Sequence, residues 1–192
     1  MRLSAPRIAP LEDGRFSDEQ RAIAETQRGR DGRLLNIFRT LAHAPEALKS
    51  FLAWGGYILS DRNSLPPRER ELAILRIGYL CRSGYEWTQH HRIGLRCGLS
   101  AEDIERIKAG AAADGWTRAE RSLLAACDEL HTGQFIEEPT WKALLADYSP
   151  RQAMDLVMTA GQYTQVCMML NSFGIQLDEG QVLDPDLDRR KG

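Results

Sequence analysis

A serine, a carboxylate and an imidazole stand three and four residues apart in Ser83-Gly84-Tyr85-Glu86-Trp87-Thr88-Gln89-His90. On a helix that spacing puts all three on one face. A carboxylate one turn before a histidine fixes the ring and favours the imidazolium, so His90 can donate or relay a proton near neutral pH. Glu71 adds a second acid at the head of the apolar run Leu72-Ala73-Ile74-Leu75, where an unpartnered charge is costly to bury. The set predicts a catalytic trio of His90, Glu86 and Glu71, with Ser83 hydrogen-bonding a substrate and Trp87 lining its pocket.

Each of these residues also has a plainer reading. Ser83 and Glu86 match a capping box, in which the two side chains satisfy backbone donors at a helix start. Glu71 could serve only as partner to Arg68, Arg70 or Arg76, and Tyr85 and Trp87 could be core aromatics. His91 falls on a different face from His90, toward solvent.

The elements that must position the trio are legible from their ends. The pattern Ser or Thr followed three residues later by Glu, Gln or Asp recurs at Ser17, Ser83, Ser100, Thr117 and Ser149. Apolar residues recur between these starts at helical spacing, as in Leu123, Leu124, Cys127 and Leu130, or Met154, Val157, Met158, Gly161 and Gln165 with their neighbours. Helices are expected near 18–28, 45–60, 66–81, 84–97, 101–109, 118–131, 138–147 and 150–174, with Gly98 and Gly174 as C-terminal stops. No strand is expected, so the fold class is all-α. The last helix is apolar around much of its circumference, which suits a core position or a subunit interface. The chain divides into an N-terminal extension over 1–35 with one helix, a helical domain over 36–176, and a C-terminal arm over 177–192.

Composition narrows the function classes. With 192 residues the chain fits one domain that can bury roughly 70% of its unfolded surface. Its 25 basic and 27 acidic residues give a net charge of -2 without a basic stripe, which argues against a nucleic-acid partner. No apolar run approaches the roughly 20 residues of a membrane span, and the N-terminus lacks a signal-peptide stretch. The expectation is a soluble, cytoplasmic protein without a membrane partner. Cys81, Cys97, Cys127 and Cys167 include no C-x-x-C pair and read as small buried apolar residues. The four histidines do not pair with them at ligand spacing, so no metal is expected.

The string Leu65-Pro66-Pro67-Arg68-Glu69-Arg70-Glu71-Leu72-Ala73-Ile74-Leu75-Arg76, then Tyr85-Glu86-Trp87 with His90, Gly94 and Gly98-Leu99-Ser100, and later Leu170-Asn171-Ser172-Phe173-Gly174, resembles the carboxymuconolactone decarboxylase family. That family includes the alkyl hydroperoxidase D proteins, and the resemblance runs over about 36–176. It implies the alkyl hydroperoxidase D-like helical fold as a single domain, assembled with copies of itself as trimers or hexamers, with the active site near a subunit contact. In the hydroperoxidase branch a C-x-x-C pair opens the motif helix, and those two positions fall here on Ser83 and Glu86. The histidine and upstream glutamate of that branch fall on His90 and Glu71. Cys81 lies two residues before the first cysteine position and has no partner at the required spacing.

Neither serine nor glutamate can cycle through a disulfide, which argues against the family's dithiol peroxidase route. The resemblance therefore points to a decarboxylase-like enzyme acting without a cofactor, by acid/base chemistry, on a small carboxylated or lactone compound of aromatic breakdown. His90 would protonate the developing carbanion, Glu86 would orient it, and Glu71 would be a second proton carrier. Two rivals stand beside it: an antioxidant, peroxiredoxin-type activity of Cys81 alone, and a non-catalytic oligomeric binding module. Glu86 and His90 facing open solvent with no adjacent cavity would favour the module over catalysis.

Overall fold

A computed structural model describes residues 1–188, and the last four residues of the expected C-terminal arm lie outside the described ones. The described chain is helical, in the order α1 (Asp18–Glu25), α2 (Asn36–Leu41), α3 (Pro45–Ile58), α4 (Pro67–Leu80), α5 (Gly84–Arg96), α6 (Ala101–Ala109), α7 (Arg118–Gly133), α8 (Glu138–Leu145) and α9 (Pro150–Phe173), with short 3-10 turns between. Four of the expected capping boxes close as both reciprocal hydrogen bonds, at Ser17, Ser100, Thr117 and Ser149. The fifth does not: Ser83 makes no capping hydrogen bond at the start of α5. Gly98 and Gly174 adopt the positive φ (95° and 70°) that lets the chain leave α5 and α9.

The helix α4 is the centre of the molecule. Every residue from Arg70 to Gly78 is buried, because α5, α7 and α9 pack around it. The first of these contacts depends on Gly94, where a Cβ would lie 2.9 Å from Leu99 Cδ1 and 3.2 Å from Leu75 Cδ1. Arg82, at φ 52°, makes the tight turn that folds α5 back along α4. A core of Leu72, Ile74, Leu75, Trp87, Leu123, Leu124, Leu156 and their neighbours fills the space between these helices.

Two features depart from the sequence reading. The helix α2 was not expected, because it spans only six residues and has no side-chain cap to announce it. In α9 the stripe of Met154, Val157 and Met158 is exposed (56%, 39% and 37%), while Leu156, Ala160, Tyr163, Cys167 and Leu170 form the buried face. Both faces are apolar, so periodicity finds the helix without saying which side turns inward.

The terminal segments close over the same bundle. Phe16, Ile23, Ala24 and Leu34 pack with Leu48 of α3, and Arg7 and Ile8 donate backbone hydrogen bonds to Phe173 O. On the other side Asp178 accepts from Tyr85 Oη (2.8 Å), Gln89 Nε2 (2.7 Å) and Asn36 N (2.7 Å), while Leu187 is buried. The described part of the C-terminal segment thus lies on its own chain.

Candidate active site

Crossing of α4 and α5 brings the three expected proton-handling residues together. His90 Nδ1 lies 2.7 Å from Glu71 Oε2, and His90 Nε2 lies 3.1 Å from Glu86 Oε1. Glu71, Glu86 and His90 are all buried, at 1%, 4% and 6% exposure. The nearby arginines are engaged elsewhere. Arg68 holds Glu120 and Asp103, Arg76 holds Asp128, and Arg70 Nη1 donates to Ser60 O at 3.0 Å. Glu71 is therefore the partner of His90, not of the three arginines that sequence proximity offered.

The same arrangement explains the missing cap. The Ser83 amide donates to Gly78 O at 2.9 Å, and Glu86 turns its carboxylate along the helix to His90, one turn on. Its Oε1 is close enough to Nε2 for ion pairing but makes no hydrogen bond of good geometry.

Glu86 and His90 open onto a cavity of about 350 Å³ walled by Phe38 of α2, Phe51 and Leu52 of α3, Ile93 of α5, and Tyr163 and Val166 of α9. Polar contacts on the wall come from Gln27, Gln89 and Gln162, and neither lysine nor arginine reaches it. Glu71 does not line the cavity; it sits behind the imidazole. Tyr163 meets the His90 ring edge-on, with centroids 4.9 Å apart and planes at 83°.

Burial and the neighbouring charges set the protonation states. Burial pushes Glu86 up from 4.5 to about 7; the nearby Glu71 charge adds to this and His90 offsets part of it. For His90, burial opposes the charged ring, but the Glu71 and Glu86 carboxylates outweigh it and raise the imidazole above its ordinary 6.5. The Tyr163 phenol is held far up by burial and by Glu86 and Glu71, so it stays protonated. As an imidazolium, His90 donates from Nδ1 to Glu71 and aims its Nε2 proton toward Glu86 and the cavity. A carboxyl group titrating near neutrality beside an imidazolium is suited to both taking and giving protons. Among the described residues no cluster of His, Cys, Asp and Glu has the arrangement to hold a metal ion.

Two expected substrate contacts are not brought to this cavity. Ser83 is fully buried at the turn between α4 and α5, and its hydroxyl, without a hydrogen bond of good geometry, lies beside the Cys167 thiol. Trp87 follows Glu86 by one residue, about 100° around the helix, and so leaves the active face. It is 1% exposed in the core, 5.5 Å from the Tyr79 ring, with Lys108 over it. Conversely, Tyr163, Gln162, Phe38 and Phe51 escaped the sequence reading. Tyr163 could have been found as one member of the stripe Leu156, Ala160, Tyr163, Cys167, had the exposed stripe of α9 not been equally apolar. His91, expected on the solvent side, is half-buried beside a separate hollow that also includes Arg92.

The family model for the carboxymuconolactone decarboxylase family matches residues 45–129, which hold α3 through most of α7 and the whole of the trio. The fold extends further. A peroxidase-related protein with an alkylhydroperoxidase AhpD core from Ralstonia eutropha JMP134 superposes with a TM-score of 0.78 at 20% identity, covering 91% of this chain and 93% of that one. Residues 45–129 are thus similar to the carboxymuconolactone decarboxylase family, and the fold of the chain is the AhpD-like helical fold. A peroxidase-related protein from Silicibacter sp. TM1040 gives 0.78 at 16% identity, over 93% of this chain and 94% of that one. The debrominase Bmp8 in complex with 2,3,4-tribromopyrrole gives 0.72 at 15% identity, over 92% and 94%. No curated protein matches the chain. Among the described residues no helix is long and apolar enough to cross a membrane.

Proposed function

We propose that this protein is an enzyme that moves protons on a small, neutral, largely apolar molecule held in the Glu86–His90 cavity, without a cofactor. The observation that carries this reading is the buried Glu86–His90 pair, 3.1 Å apart, at the wall of an otherwise largely apolar cavity. Glu86 takes a proton from an acidic C–H, N–H or O–H of the bound molecule, and His90 stabilises the resulting anion from Nε2 and returns a proton to it. Glu71 is a positioning residue: from Nδ1 it fixes the ring and keeps the imidazolium charged. The roles assigned from sequence to the two glutamates are thereby exchanged.

Decarboxylation of a compound from aromatic breakdown is the narrower version of this proposal. It asks the cavity to seat a carboxylate, and a wall that carries Glu86 and no lysine or arginine, with Arg70 near enough to act on His90 and Tyr163 but not lining it, favours neutral substrates instead. An arginine from a neighbouring copy would restore the carboxylate reading. The exposed stripe of Met154, Val157, Met158 and Met168 on α9 supports self-association, as the family resemblance implies. Four free thiols accord with a cytoplasmic setting. Burial of Glu86 and His90 at a cavity weighs against the binding-module rival, which would have gained ground had they faced open solvent.

A thermal-shift panel tests the substrate class: neutral lactones, phenols and halogenated pyrroles against matched mono- and dicarboxylates. Halogenated pyrroles belong in it because a protein of the same fold binds one. Stabilisation by neutral rings that is lost in His90→Ala supports the proposal; stabilisation by carboxylates alone overturns the neutral-substrate reading.

A further inference from the structure

Thr88, His91, Arg92 and Leu95 recur at the spacing of one helical face, on the side of α5 turned away from Glu86 and His90. They line a separate hollow of about 680 Å³, which the segment 180–185 closes from the other side. Two basic side chains of this wall are uncommitted: among the described residues the Arg92 guanidinium and the His91 ring make neither an ion pair nor a hydrogen bond. The one carboxylate of the wall, Asp184, is already balanced by Lys108 Nζ at 2.8 Å. Thr88 Oγ1 and Trp87 Nε1, on two buried residues that also line the hollow, have no hydrogen-bond partner among the described residues. Each of these four side chains can donate a hydrogen bond, and native folds seldom leave buried donors unpaired. What the wall lacks is an acceptor.

We propose that this hollow is a second binding site, for a small organic acid that presents one carboxylate to Arg92, His91 and Thr88 and lays an apolar body on Leu95 and Val182. A carboxylate accepts two parallel hydrogen bonds from a guanidinium, and it takes a third from the His91 ring, which carries an N–H in either tautomer. The Thr88 hydroxyl gains the acceptor that the protein does not supply. With Asp184 balanced by Lys108, Arg92 is the unpaired fixed charge of the wall, which matches one carboxylate rather than two. Leu95 and Val182, at 45% and 85% exposure, favour an acid with a ring or branched chain over inorganic phosphate, which has nothing to cover them. The helix α5 stands between this hollow and the Glu86–His90 cavity, so the site does not rest on the proton-transfer reading.

Isothermal titration of the full-length chain with benzoate, benzamide and inorganic phosphate tests the proposal. One benzoate should bind per chain, with benzamide and phosphate at least about tenfold weaker. Arg92→Ala, at an exposed position, should weaken benzoate by about tenfold or more, and Thr88→Val, which keeps the volume and removes the hydroxyl, by less. Arg96→Ala, on the same helix but outside the hollow, should leave benzoate affinity unchanged. Benzoate that fails to bind, that binds equally well in Arg92→Ala, or that binds no better than benzamide or phosphate overturns the proposal. So does benzoate binding that is lost in His90→Ala, because it would place the ligand in the other cavity. Neutral rings lost in His90→Ala and benzoate lost in Arg92→Ala report separately on the two sites.

Discussion

The buried acid Glu86 makes a quantitative demand on stability. Its folded-state pKa is raised from 4.5 to about 7, chiefly by burial. Because the folded value lies above the unfolded one, the folded state binds the proton more tightly. The associated stabilisation is complete below pH 4.5 and is lost as pH rises through about 7. At about 1.4 kcal/mol per pKa unit, the displacement corresponds to roughly 3 kcal/mol between those limits, an upper figure because His90 shares the proton. Glu86→Gln replaces the acid with a neutral group of the same shape, so the variant should escape this loss. Urea unfolding of both proteins across pH 5 to 8.5 measures the difference, with the variant's advantage expected to grow by about 2–3 kcal/mol as pH rises. A difference between the two that stays constant with pH would refute the argument that Glu86 titrates in the folded state near neutrality.

Other predictions concern single side chains. His90→Ala should abolish turnover of any neutral substrate found by the panel while circular dichroism keeps its helical signal. Glu71→Gln removes the charge that holds the imidazolium, so the pH-rate profile of the His90 limb should move to lower pH and kcat should fall about 10- to 100-fold. An unmoved profile would take Glu71 out of the positioning role. Ser149→Ala breaks a closed capping box and should cost about 1 kcal/mol, whereas Ser83→Ala, which breaks none, should be neutral or slightly stabilising. Gly94→Ala presses a methyl against Leu75 and Leu99 and should cost about 1–3 kcal/mol in urea unfolding, with weaker ligand binding because the α4–α5 crossing opens.

By itself the sequence determined the helical class and most helix ends, and it singled out Glu71, Glu86 and His90, which the structure brings together. These are local matters: a Ser or Thr three residues before an acid or amide, a glycine free to take positive φ, a carboxylate one turn from a histidine. Tertiary structure decided everything that depends on what lies opposite. By spacing Glu86 had two partners, the Ser83 amide and His90; the turn from α4 gives that amide to Gly78 O, and the crossing of α4 and α5 sets Glu71 and Glu86 on the two nitrogens of the imidazole. The helix α9 has two apolar stripes, and packing on α4 turned Tyr163 and Cys167 inward while leaving Met154 and Met158 outside. Phe38, Phe51 and Leu52 of the cavity wall stand at least 32 residues before the start of the motif helix at Gly84, and Tyr163 and Val166 come from the last helix. Such long-range pairings leave no trace in local spacing, because what fixes them is the burial of whole helical faces against one another.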